Sequence, residues 1–167
     1  PADSTGRAKV GRLFRACVLH LTTHTLIPIN DENTALQTSK HTTLESFSES
    51  LANDVYVNAY ISARYPDKLA DIAFANSLAF AKVKPTERIF NPATRIMTPL
   101  LSRVNIGIVK GAFRPEEENA IEQWTTKLSS LKGKIITSLA GKEIKINEVL
   151  NETANDITQI FESHGPI

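Results

Sequence analysis

Apolar side chains recur along this chain at intervals of three and four residues, the period of an amphipathic helix. Within residues 6–22, Val10, Leu13, Phe14, Cys17, Val18 and Leu21 stand at i, i+3, i+4, i+7, i+8 and i+11, a full helical stripe. Leu44, Phe47, Leu51 and Val55, with Tyr56 and Tyr60 beside them, mark a second helix. Its start is signalled at Thr42-Thr43-Leu44-Glu45, because a cap Thr and a Glu three residues on can satisfy two backbone donors reciprocally. Pro66 disfavours the α conformation at Tyr65 and ends it.

The next segment, residues 67–83, is apolar nearly all round: Leu69, Ile72, Phe74, Leu78 and Phe80 are set among alanines. That composition suits a helix packed on several sides, and it predicts the central helix of the fold. Asn91-Pro92 opens a fourth helix with a good cap residue followed by proline at the first helical position. Thr98-Pro99 repeats the signal, so this helix should kink or restart at Pro99 before ending near Gly111. Arg114-Pro115 opens a fifth, where Glu116, Glu117 and Glu118 complement the macrodipole and Ile121, Trp124, Leu128 and Leu131 form the stripe. Gly133 reads as its stop. Residues 134–146 suit either helix or a small β-hairpin turning at Ala140-Gly141-Lys142. A last helix over residues 147–163 points Leu150, Ala154, Ile157, Ile160 and Phe161 inward.

A short helix near Asn30 completes the pattern, and no repeat or linker divides it. The expected fold is all-α: one domain over residues 1–167, a bundle of about six helices, with room for one hairpin at 134–146. Composition agrees, since 167 residues with 41% hydrophobic and 22% charged side chains belong to an ordinary globular chain. No apolar run approaches the roughly 18–20 residues that span a bilayer. Cys17 is the only cysteine, which excludes an internal disulfide and favours a reducing, cytoplasmic setting. The sequence begins at Pro1 without methionine, so that end is native, processed or trimmed.

Charge changes the picture most. The net value of +1 hides segments of +3 (residues 1–30), −4 (31–80), +6 (81–114) and −4 (115–167). In the third, Lys82, Lys84, Arg88, Arg95, Arg103, Lys110 and Arg114 face only Glu87. Such a segment attracts polyanions even in a nearly neutral protein. Arginine forks match phosphate, and Phe90 in the same stretch suits stacking on an unpaired base. Arg12 and Arg15 would join this surface if the first helix packs nearby. The opposing expectation is that these charges pair with the flanking acidic segments.

Recognisable catalytic chemistry is sparse. Cys17, His20 and His24 share a helical face and are good zinc ligands, but the set lacks a fourth ligand and the glutamate of a zinc-protease helix. Cys17 also belongs to the apolar stripe, where a cysteine is ordinarily buried and inert. No phosphate-binding loop is present: Ala140-Gly141-Lys142 is followed by Glu143, where Ser or Thr would hold magnesium. Glu116–Glu118 lie in a solvated first turn that offers no apolar pocket to raise a carboxyl pKa. No catalytic residue, metal or cofactor is therefore expected.

The expected function is a non-enzymatic helical subunit of an oligomeric nucleoprotein assembly. It would bind the backbone of RNA or single-stranded DNA through residues 82–114, beside copies of itself or other subunits, with no membrane role. In size, class and charge the chain is similar to the small helical subunit of CRISPR effector complexes and to the coat proteins of filamentous viruses. No motif carries that analogy. The alternative is a helical protein–protein interaction module, an adaptor or effector, with no nucleic-acid role.

Overall fold

A computed structural model describes residues 4–27 and 43–163. Six α-helices account for most of them: α1 (Ser4–His24), α2 (Thr43–Arg64), α3 (Leu69–Lys82), α4 (Pro92–Ile106), α5 (Pro115–Leu139) and α6 (Ile146–Ser163). Short 3-10 turns at Pro66–Lys68 and Thr86–Arg88 precede α3 and α4. The architecture is an all-α helical bundle, with no strand among the described residues. The short helix expected near Asn30 and the cap at Thr42 lie outside the described residues.

The core is built by α2, α5 and α6, which pack on one another. Their predicted stripes face inward: Leu51, Leu131 and Ile157 are fully buried, as are Trp124 and Phe161. The Trp124 and Phe161 rings lie 4.2 Å apart between centroids, and Phe47 meets Phe161 edge-on. Trp124 also donates its Nε1–H to the Ile157 carbonyl at 3.3 Å, which satisfies the one polar atom of a ring that has lost all contact with water.

Local signals at the helix ends hold. Asn91 accepts the Thr94 N–H at 2.9 Å as the cap of α4, and Glu117 reaches back to accept the Arg114 N–H at 2.9 Å at the start of α5. Four expectations are corrected. Helix α4 neither restarts at Pro99 nor reaches Gly111; it runs through Pro99 and stops at Gly107, whose φ of +85° is the left-handed turn glycine makes cheaply.

The hairpin at 134–146 does not form. Instead α5 continues through Gly133 to Leu139, because Ile135 stands four residues beyond Leu131 and is fully buried on the same stripe. A glycine in a helix costs only about 1 kcal/mol relative to alanine, less than burying Ile135 returns.

The third correction concerns α3, which is peripheral rather than central: none of its residues is fully buried, and Leu69 and Leu78 are 39% and 43% exposed. It packs against α1 and α4, outside the core. The fourth concerns α1. Its inward face is built from small residues, Ala16 and Thr23, so its large apolar side chains stand out; Val10, Phe14 and Leu21 are 68%, 68% and 66% exposed. Cys17 is exposed as well.

Candidate interaction surfaces and the α1–α2 histidine cluster

Three surface features could carry function: the basic end of the bundle, the apolar layer of α1 and α3, and a histidine cluster between α1 and α2.

The basic residues divide into two groups. Four of the nine singled out by sequence are bonded to other residues of the fold. Arg12 and Arg15 both pair with Asp71 of α3, at 2.9 and 2.8 Å, and Arg12 also bonds the Ala70 carbonyl and lies over the Phe74 ring. The hydrogen bonds from Arg15 and then Arg12 hold the Asp71 carboxyl below its ordinary range.

Arg95 makes a forked contact with Glu117, 2.6 and 3.3 Å, and donates to the Thr86 carbonyl at 3.1 Å. Burial pushes the Glu117 carboxyl up, yet the bonds from Arg95 and the Arg114 N–H, with both arginine charges, bring it net below the usual value. Lys110 caps the C-terminus of α3, its Nζ donating to the carbonyls of Phe80, Ala81 and Val83 at 2.6, 3.1 and 3.1 Å. These four tie α1 to α3, α4 to α5, and the 107–114 connection to α3.

Lys82, Lys84, Arg88, Phe90, Arg103 and Arg114 are exposed, Phe90 by 94%. Most share one end of the bundle. Thr86 donates both its N–H and its hydroxyl to the Lys110 carbonyl, and Glu87 accepts the Ala112 N–H, so the 84–90 and 110–114 loops lie together. Gly111 permits this approach: its φ is +92°, and an added Cβ would sit 2.7 Å from the Thr86 nitrogen. Lys84, Arg88, Phe90 and Arg114 therefore surround one loop junction. Arg103 stands apart on α4, over a small cleft it shares with Ser129 and Lys132.

The apolar layer has a ridge and two clefts. The exposed edge of α1, Val10, Phe14, Val18 and Leu21, forms the ridge. On one side, a groove of about 560 Å³ runs between α1, α3 and α4, walled by Leu13, Leu21, Ala75, Phe80, Leu101 and Ile106. On the other, a cleft of about 540 Å³ is lined by Phe14, Val18, Leu26 and Tyr65. Contiguous exposed apolar surface of this kind makes the layer a candidate interaction surface.

The third feature was only half visible in the sequence. His20 and His24, four residues apart on α1, direct both Nε2 atoms to the same Asp54 oxygen on α2, at 3.5 and 3.3 Å. The two nitrogens are 3.1 Å from each other. Cys17, grouped with these histidines by spacing, is not part of the cluster; Asp54 takes that place.

No protein-family model, curated protein or solved structure matches this chain. Among the described residues, no helix is long and apolar enough to cross a membrane.

Proposed function

We propose that this chain is a helical subunit that assembles with copies of itself through the α1–α3 layer and offers its basic loop end to a nucleic-acid backbone. The observation that carries assembly is the unburied apolar ridge of α1. Ridge and grooves lie on one face, so the α1 ridge of one copy can enter the groove beside α1 of another, the self-complementarity that a two-fold contact requires. Arg12 and Arg15, which would oppose each other across such an axis, are each already held by Asp71. An antiparallel approach also sets Arg7 and Lys9 of one helix near the C-terminal, negative end of the other. The single cysteine suits a reducing, cytoplasmic setting.

Size-exclusion chromatography with light scattering tests assembly. The unmodified chain is expected to run as an oligomer, and Phe14→Glu with Val18→Glu as a monomer with unchanged far-UV circular dichroism. A wild-type monomer at every concentration would remove the proposal and leave the layer to a different partner.

Nucleic-acid contact rests on the exposed Phe90 between basic neighbours. Fluorescence anisotropy with labelled single-stranded RNA, single-stranded DNA and duplex DNA is expected to show binding that weakens with salt. Lys84→Glu with Arg88→Glu should lower the slope of log affinity against log salt by roughly 1.4 for single strands, about 0.7 per lost phosphate contact. Absence of binding at low salt would favour the protein–protein module without a nucleic-acid role, which the internal bonds of Arg12, Arg15, Arg95 and Lys110 already support.

A further inference from the structure

We propose that His20, His24 and Asp54 form a zinc site with three protein ligands and an open fourth position at the edge of the α1–α3–α4 groove. The three ligands stand on their own geometry, whereas the open position shares its groove with the assembly proposed above and is therefore tested on the Phe14→Glu, Val18→Glu chain as well as the wild type.

The spacing is that of the ligands of one small cation. Three lone-pair atoms, two imidazole Nε2 and one carboxylate oxygen, are separated by 3.1, 3.3 and 3.5 Å. With bonds of about 2.05 Å, the ligands of tetrahedral zinc stand about 3.3 Å apart, whereas an octahedral ion at that bond length would draw them to about 2.9 Å. One proton bridges only two of these three atoms at a time, from ring to ring or from ring to Asp54. One divalent cation satisfies all three atoms together. Imidazole with carboxylate is a zinc-binding donor set, and histidines at i and i+4 lie on one face of a helix. Ligation through Nε2 requires both rings to carry their remaining proton on Nδ1.

The site is neither sealed nor bare. The side chains of His20, His24 and Asp54 are 32%, 32% and 22% exposed. His20 and Asp54 also line the groove of about 560 Å³, where Asn76, Thr98, Ser102 and Asn105 supply polar groups among apolar walls. Among the described residues these three are the ligands, and the groove they open on leaves the fourth corner for water or for a donor atom of whatever it admits.

Cobalt is the probe, because tetrahedral Co²⁺ absorbs intensely in the visible and takes zinc sites. Chelator-treated full chain titrated with Co²⁺ is expected to give this absorption at one ion per chain, with displacement by Zn²⁺ and a raised Tm. His24→Ala and Asp54→Asn should each weaken Zn²⁺ binding by more than about 100-fold, beyond the cost of losing a merely supporting partner. Cys17→Ser should leave the spectrum unchanged. Azide should shift the spectra of the wild type and of the Phe14→Glu, Val18→Glu chain by entering the open position. Circular dichroism confirms that the variants fold; should Asp54→Asn fail to, the folded His24→Ala carries the test. Absence of stoichiometric Co²⁺ absorption, or its persistence in folded His24→Ala, would overturn the site. A spectrum indifferent to azide in both chains would overturn the open position.

Discussion

Trp124→Ala is expected to destabilise the protein by about 3–5 kcal/mol, the cost of deleting a large aromatic from a packed core. Trp124 has no exposed surface, and its ring centroid lies 4.2 Å from that of Phe161. It fills the junction where α5 meets α6, and the helices on either side are fixed by other buried side chains, Leu51, Leu131 and Ile157 among them. Collapse into the vacated volume would therefore be partial, which is what makes such truncations costly. For a chain of this length the loss corresponds to a fall in Tm of roughly 6–20 °C.

Trp124→Phe separates the contributions, because it keeps an apolar ring while removing the Nε1–H donated to Ile157 and part of the ring volume. Its cost should be near 1–2 kcal/mol, one hydrogen bond with some lost packing. Thermal and urea unfolding measure both variants, and an unchanged midpoint for Trp124→Ala would place the core elsewhere.

The core is legible in the sequence because its large side chains fall on one face of each helix, with buried alanines between them. On α5, Ile121, Trp124, Leu128 and Leu131 leave only one face that can be buried, and the same holds for Leu51 and Val55 on α2. Helices α1 and α3 were harder. Helix α3 is apolar nearly all round and α1 carries small residues beside its large stripe, so the inward side is settled by tertiary fit. On α1 the small Ala16 and Thr23 pack inward. A stripe drawn through the largest side chains finds the exposed ridge instead.

Helix α5 outruns its sequence stop signal for a related reason. Gly133 is a local stop signal with a small penalty, and Ile135 beyond it had a buried position to occupy. The histidine cluster shows where sequence spacing ends as a guide. His20 and His24 share one helix face and could be paired from spacing. Asp54 comes from another helix thirty positions away, and no local period connects it to them.

Arg95→Glu is expected to lower Tm far more than Arg103→Glu, although the two arginines belong to the same basic segment and the same helix. Arg103 is exposed, and reversing it should move Tm by about 1–2 °C, as for an ordinary surface change. The side chain of Arg95 is only 16% exposed and that of its partner Glu117 10%. Reversal removes the forked ion pair and the bond to Thr86, and sets two carboxylates against each other where little water screens them.

Glu117 also accepts the Arg114 N–H at the start of α5, so the repulsion acts on a helix start and on the α4–α5 contact together. Exchanging the pair, Arg95→Glu with Glu117→Arg, should recover part of the loss; it restores the attraction but not the contacts to Thr86 and Arg114. The pH profile gives an independent check. The Glu117 carboxyl is held below its ordinary value of 4.5 in the folded chain, so its stabilising contribution is complete above that pH and disappears as pH falls through the lower folded value. Tm of the wild type should therefore drop more steeply on acidification from pH 5 to 3 than that of Glu117→Gln, which has nothing there to protonate. Equal Tm values for Arg95→Glu and Arg103→Glu would return Arg95 to the surface basic group and weaken its assignment as the tie between α4 and α5.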